Sequence, residues 1–128
     1  MNLINDHQPH AAAHAELFFP VKYRLFHNNP VFQSNFNVGR SVDLSLNNLV
    51  LAVGRHNSIN TRLDIELELP KGKSAYAIGK VTEGVDETIN GIVHHFDKIT
   101  FARLNEDAED QIAKQINESN KKHLTKNR

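Results

Sequence analysis

With 128 residues, the chain has the size of one ordinary domain and is too short for two well-buried cores. Fifteen Lys plus Arg offset fifteen Asp plus Glu with no basic block, so the charge footprint that a nucleic-acid backbone requires is missing. The absence of Cys removes disulfides and thiolate metal or redox sites, and no run approaches the roughly 20 apolar residues that span a bilayer.

Residues 1–16 contain no large apolar residue beyond Leu3 and Ile4 until the chain nears Leu17, and they read as a flexible tail. This segment lacks the charged start and apolar run of a secretory leader, so a cytoplasmic protein without membrane insertion is expected. From Phe19 the pattern alternates: Phe19, Val21, Tyr23 and Leu25 share one face of a half-buried strand, and His27-Asn28-Asn29-Pro30 supplies a turn. A second extended run covers about Asn37 to Ser45 and a third covers Leu49 to Val53. Asn47-Asn48 separates them, and Asn tolerates positive φ better than other non-glycine residues.

The fourth strand has the clearest pattern. Leu63, Ile65, Leu67 and Leu69 alternate with Asp64, Glu66 and Glu68, and Pro70-Lys71-Gly72-Lys73 then turns the chain into a hairpin partner from Ala75 to Thr82. A sixth strand is expected from about Ile89 through Phe101, with a kink at Asp97-Lys98. At Asn105 an Asn cap followed by Glu106 and Asp107 starts a helix, whose apolar stripe is Ala108, Ile112 and Ile116. Beyond Asn117 the Asn/Lys-rich sequence predicts fraying, which sets a polar tail at 119–128 and a domain at 17–118. Short strands followed by one amphipathic helix predict a mainly β fold, a small six-stranded antiparallel barrel capped by a C-terminal helix.

The junction Val42-Asp43-Leu44-Ser45-Leu46-Asn47-Asn48 resembles the PilZ signature, Asp or Asn, one residue, Ser, two residues, then Gly, between two strands. Asp43 and Ser45 match, while Asn48 stands where the family has Gly. The stretches PVKYRL, LDIELELPKG and GIVHHFDKITFARLNEDAEDQI resemble the flanking family segments, so the likeness covers roughly residues 15–118. It implies a split-barrel regulatory module of bacterial second-messenger signalling, with no catalysis, no resident cofactor and cyclic-di-GMP as the family ligand.

The family's nucleotide site has two halves. One is an N-terminal Arg, three residues, Arg clamp, whose planar forks pair with phosphate oxygens and stack on guanine. At that spacing and place this sequence has His10 and His14. Neutral imidazoles cannot present the fork, and at roughly 1.5–3 kcal/mol per charged hydrogen bond the exchange forfeits several kcal/mol. The other half is the turn itself, where the resemblance implies Asp43, Ser45 and Asn48 as ligand contacts, with Arg40 and Arg55 flanking. Asp and Ser beside a turn commonly bond their own backbone instead. The expectation is weak or no cyclic-di-GMP binding and action through a protein partner in a signalling, pilus or flagellar pathway; the alternative is a cyclic-di-GMP receptor. Should the helix stripe be incompletely covered, Ile112 and Ile116 become the partner surface.

Other constellations read plainly. His7, His10 and His14 belong to an exposed tail, and His94 and His95 are strand neighbours that face opposite ways, so no metal site is expected. Asp64, Glu66 and Glu68 form a charged outer strand face. No nucleophile-and-base motif is present.

Overall fold

The structure is a computed structural model that describes residues 14–29, 31 and 34–126, with side chains described through Lys121. His10, and residues 1–13 of the expected tail, lie outside the described residues. Among the described residues, seven strands form one antiparallel sheet: β1 (His14–Ala15), β2 (Pro20–Leu25), β3 (Asn37–Ser45), β4 (Asn48–Val53), β5 (Arg62–Leu69), β6 (Lys73–Ile89) and β7 (Ile92–Leu104), followed by helix α1 (Glu106–Lys126). Their order is β1-β3-β2-β5-β6-β7-β4, and an additional β3–β4 pairing closes the last six into a barrel.

Closure rests on β3. Along one edge its first half pairs with β2, Asn37 to Arg40 against Tyr23 to Pro20, and its end pairs with β1, Ser45 with His14 and Leu44 with Ala15. Along the other edge it pairs with β4 through a bulge between Ser41 and Asp43. Buried Ser41 stitches the break between β1 and β2: its backbone N–H donates to Phe19 O (2.9 Å), and its Oγ accepts from Phe19 N (2.8 Å) and donates to Leu17 O (2.5 Å). His14–Ala15 is thus part of the sheet, and Ala15 is buried, although the composition of this stretch reads as tail.

The alternation on β5 translates directly into the core. Leu63, Ile65, Leu67 and Leu69 are buried inside the barrel with Val21, Tyr23 and Leu51. The acidic outer face is answered across the strands. Arg24 Nε reaches Asp64 (3.4 Å), Lys22 Nζ reaches Glu68 (3.6 Å) and Ser74 Oγ donates to Glu66 (3.0 Å). The three carboxylates are therefore sheet-face pairs, the contacts that stabilise adjacent strands. Helix α1 starts where Asn105 Oδ1 accepts from Ala108 N (2.7 Å) and runs past Asn117 to Lys126. Its stripe does not offer a partner surface: Ala108, Ile112 and Ile116 are buried in the core, with Leu17, Phe19 and Leu104 packed nearby. No described helix is long and apolar enough to cross a membrane.

The expected sixth strand from Ile89 to Phe101 divides at Asn90-Gly91, where φ is 52° and 81°. Asn-Gly with both residues left-handed is the favoured two-residue hairpin turn. Strand β6 consequently reaches Ile89, beyond the expected end at Thr82. Asp97-Lys98 is not a kink. Strand β7 runs straight through it, and the irregularity lies opposite, where β6 bulges between Val81 and Glu83 and Thr82 Oγ1 donates to Lys98 O (3.1 Å). Pairing with β5 ends at Arg62–Lys80 and pairing with β4 ends at Val53–His95. From Glu87 to His94 the β6–β7 hairpin is therefore a free two-stranded arm, with Ile89, Ile92 and Val93 exposed at its tip.

Gly39 marks how tightly β3 and β4 close the barrel. A Cβ there would lie 2.6 Å from the Ala52 carbonyl oxygen and 3.2 Å from both Leu51 and Tyr23. The backbone oxygen cannot step aside, so Gly39→Ala should lower unfolding stability by about 1–3 kcal/mol, the range for overpacking. Gly54→Ala, whose new methyl meets nothing within 4 Å, should stay within about 0.5 kcal/mol of the parent. Urea unfolding of both variants checks this, and equal effects at the two positions would refute it.

Candidate functional site

Where β3 hands over to β4, a surface hollow of about 310 Å³ is lined by His14, Asp43, Leu44, Ser45, Asn47, Asn48 and Val50. The fold thus gathers His14, Asp43, Ser45 and Asn48, four of the residues that the sequence singled out. Arg40 is not among the lining residues, since it sits earlier on β3 between Pro20 and Ala52. Arg55 lines a different cleft, with Tyr23, His56 and Asn57. No guanidinium lines the hollow among the described residues.

The side chains of His14, Asp43, Ser45 and Asn48 each have a hydrogen-bond partner at the hollow. His14 Nδ1 donates to Asp43 Oδ1 (2.9 Å), which also accepts from Leu44 N (3.0 Å). Ser45 Oγ accepts from Asn47 N (3.1 Å) and Asn48 N (2.9 Å), closing the turn on itself. Asn48 is the first residue of β4, and neither it nor Asn47 has positive φ, so the expected left-handed turn is not used. Instead Asn48 Oδ1 accepts from Thr100 Oγ1 (3.1 Å), tying the turn to β7. In place of a glycine's open backbone, the turn carries an anchored side chain.

The PilZ domain of YcgR from Escherichia coli, solved with c-di-GMP, superposes with TM-score 0.65 at 14% identity, covering 85% of this chain and 86% of that one. The chain has the fold of a PilZ domain. The PilZ likeness extends to apo MrkH of K. pneumonia (TM-score 0.70, 18% identity, 87% of this chain) and to the Bacillus subtilis inhibitor of motility MotI (0.65, 10%, 90%). The chain spans about half the length of these two, 50% of MrkH and 51% of MotI. At the level of sequence, no family model and no curated protein matches.

A second polar cluster lies at the foot of the arm, built from residues that composition and spacing leave inconspicuous. Asp97 on β7 is fully buried, and both its oxygens are used: Oδ1 accepts from His56 Nδ1 (2.7 Å), while Oδ2 accepts from Asn57 N (3.0 Å) and Asn57 Nδ2 (2.9 Å). The other side of His56, Nε2, meets Asp86 Oδ1 at 2.5 Å, and the same oxygen accepts from His95 Nδ1 at 2.8 Å. Asp86 and His95 are directly opposed across the β6–β7 ladder. The neighbouring His94 turns to the other face and stacks on Phe96. Sequence separations of 30 and 41 residues between His56 and its carboxylates hide this cluster from any local motif.

The hydrogen bond to Asp97 and then that to Asp86 hold the His56 imidazole above its ordinary pKa. The bonds from His95 and then His56 hold the Asp86 carboxyl below its own. Burial, with the charge of Asp97 added, pushes the Tyr23 phenol up. A histidine with a raised folded-state pKa adds stability that is fully present below its unfolded value of about 6.5 and fades as pH rises through the folded value. Asp86 works in the opposite sense, adding stability above its unfolded value of 3.8 that is lost as pH falls through the folded one. Both contributions are in force together between roughly pH 4 and 6.5. Urea unfolding of the metal-free protein should therefore show stability falling from pH 6 to pH 8.5, with a smaller fall in His56→Gln. Equal falls in the two proteins would contradict the assignment.

Proposed function

We propose that this chain is a non-enzymatic PilZ-like regulatory module that binds cyclic-di-GMP weakly or not at all and acts through a protein partner in bacterial second-messenger, motility or pilus signalling. The observation that carries this reading is the self-satisfied turn. Asp43 Oδ1, Ser45 Oγ and Asn48 Oδ1 already accept from His14, from the turn backbone and from Thr100. A guanine edge would have to displace these bonds, and displacing a made hydrogen bond returns little net free energy. The ligand's two phosphodiester charges would meet no guanidinium in the hollow among the described residues, and His14 is already engaged by Asp43.

Partner binding then needs a surface other than the buried helix stripe. The arm supplies one, because Ile89, Ile92 and Val93 are each between 42% and 63% exposed at its tip. Apolar side chains gathered on a protruding hairpin are a recurring mark of interaction sites. The motility setting is drawn from a fold relative named an inhibitor of motility, and the pilus setting from the resemblance of the Asp43-Leu44-Ser45 junction to the family signature.

The receptor reading has one observation in its favour, a hollow of about 310 Å³ beside Asp43 and Ser45. Calorimetric titration of the full chain with cyclic-di-GMP at near-physiological salt separates the two. The expected outcome is no heat of binding up to several hundred micromolar ligand. Micromolar binding that disappears in Asp43→Ala and Ser45→Ala would replace this proposal with the receptor reading.

A further inference from the structure

The foot of the arm has the construction of a metal-binding centre. Three ligand atoms, His56 Nε2, a carboxylate oxygen of Asp86 and His95 Nδ1, all lie within 4.8 Å of one another. They come from separate elements, the loop after β4, strand β6 and strand β7. All three side chains are partly exposed, at 33%, 55% and 36%, so an ion can enter from solvent. The two imidazoles meet edge to face with centroids 5.1 Å apart.

Asp97 supplies what a metal-bound histidine needs behind it. A ligating imidazole commonly donates its second ring N–H to a carboxylate, which fixes the tautomer and aims the other nitrogen at the ion. Here His56 Nδ1 donates to a carboxylate that is fully buried and held by two further donors from Asn57. His56 Nε2 is thereby directed at Asp86. Gly84 clears the space, because a Cβ at this position would come within 2.9 Å of His56 Nδ1 and 3.2 Å of Cε1.

We propose that His56, Asp86 and His95 bind a divalent transition-metal ion of the zinc class, with solvent completing the coordination, and that the ion fastens the arm to the loop after β4. Two imidazoles and one carboxylate suit a borderline cation and not calcium or magnesium, which prefer all-oxygen sets. Around a tetrahedral ion with bonds of about 2.0–2.1 Å, neighbouring ligand atoms stand roughly 3.3 Å apart. The present separations of 2.5 and 2.8 Å must open by less than an ångström, which half-exposed side chains can do. In the exchange the ion takes the place of the protons shared with Asp86: His56 releases its Nε2 proton to solvent and keeps the Nδ1 proton donated to Asp97, and His95 gives up its Nδ1 proton to solvent and carries its remaining proton on Nε2.

The test is calorimetric titration of the full, chelator-stripped chain with Zn²⁺, paired with the visible absorption of Co²⁺ as a report on geometry. One equivalent should bind at micromolar concentration or tighter. Asp86→Asn and His95→Gln should each weaken binding at least tenfold, and Gly84→Ala, which removes no ligand, should weaken it about tenfold by displacing the His56 ring. Circular dichroism verifies folding, and if His95→Gln fails to fold, the exposed Asp86→Asn and Gly84→Ala variants decide. Unchanged affinity in those two variants would place the ion elsewhere, on tail histidines such as His7 and His10, and overturn the proposal. Absence of binding at 100 μM Zn²⁺ would do the same.

Discussion

Strand β3 must satisfy three partners at once, and the rest of the molecule follows from how it does so. It pairs with β2 and then β1 along one edge and with β4 along the other. A short sheet with unpaired edges is a template for aggregation, and closure removes those edges. The requirement explains several local choices together: the bulge between Ser41 and Asp43, the buried Ser41 hydroxyl that bridges β1 and β2, and Gly39 where β4 comes closest. It also explains why Asp43 and Ser45 lie at a corner. The chain leaves β3 there and returns as β4, and polar side chains supply the backbone partners that the ladder no longer provides.

That corner is where the PilZ fold carries its signature, so structural and ligand-binding demands fall on the same few atoms. On the reading proposed above, the structural demand has the stronger hold in this chain. Ser45 closes the turn, Asn48 is tied to Thr100, and β1 brings His14 onto Asp43. The side chains that would read a nucleotide are the ones that keep β1, β4 and β7 in register. The arm reverses this balance. Beyond Asp86 and His95 it has no neighbouring strand among the described residues, and the polar cluster around buried Asp97 lies at its foot. Packing specifies one end of the hairpin and electrostatics the other.

The alternating strands were legible in the sequence because their period is local: the pattern of Leu63 to Leu69 reads directly as core and surface. The cap at Asn105 was equally plain, and so was the PilZ likeness of the Asp43-Leu44-Ser45 junction. Three features were not. The strand at His14–Ala15 is two residues long, too short to show a period, and is held by partners on β3. The Asn90-Gly91 turn carries a strong hairpin signal, but the apolar residues on either side, Ile89 before it and Ile92-Val93 after it, read as one continuous strand. The cluster of His56, Asp86, His95 and Asp97 exists only after β4, β6 and β7 are paired. Its sequence traces were an Asp inside an expected strand, read as part of a kink at Asp97-Lys98, and the adjacent His94-His95.

The central question for the site is whether Ser45 is committed to its own turn. Amide hydrogen exchange at Asn48, followed by NMR with and without cyclic-di-GMP, tests this most directly. The Asn48 N–H should be protected in the parent, lose protection in Ser45→Ala, and neither shift nor change its exchange rate when the nucleotide is added. Fast exchange in the parent, or nucleotide-dependent shifts confined to residues 43–48, would contradict it.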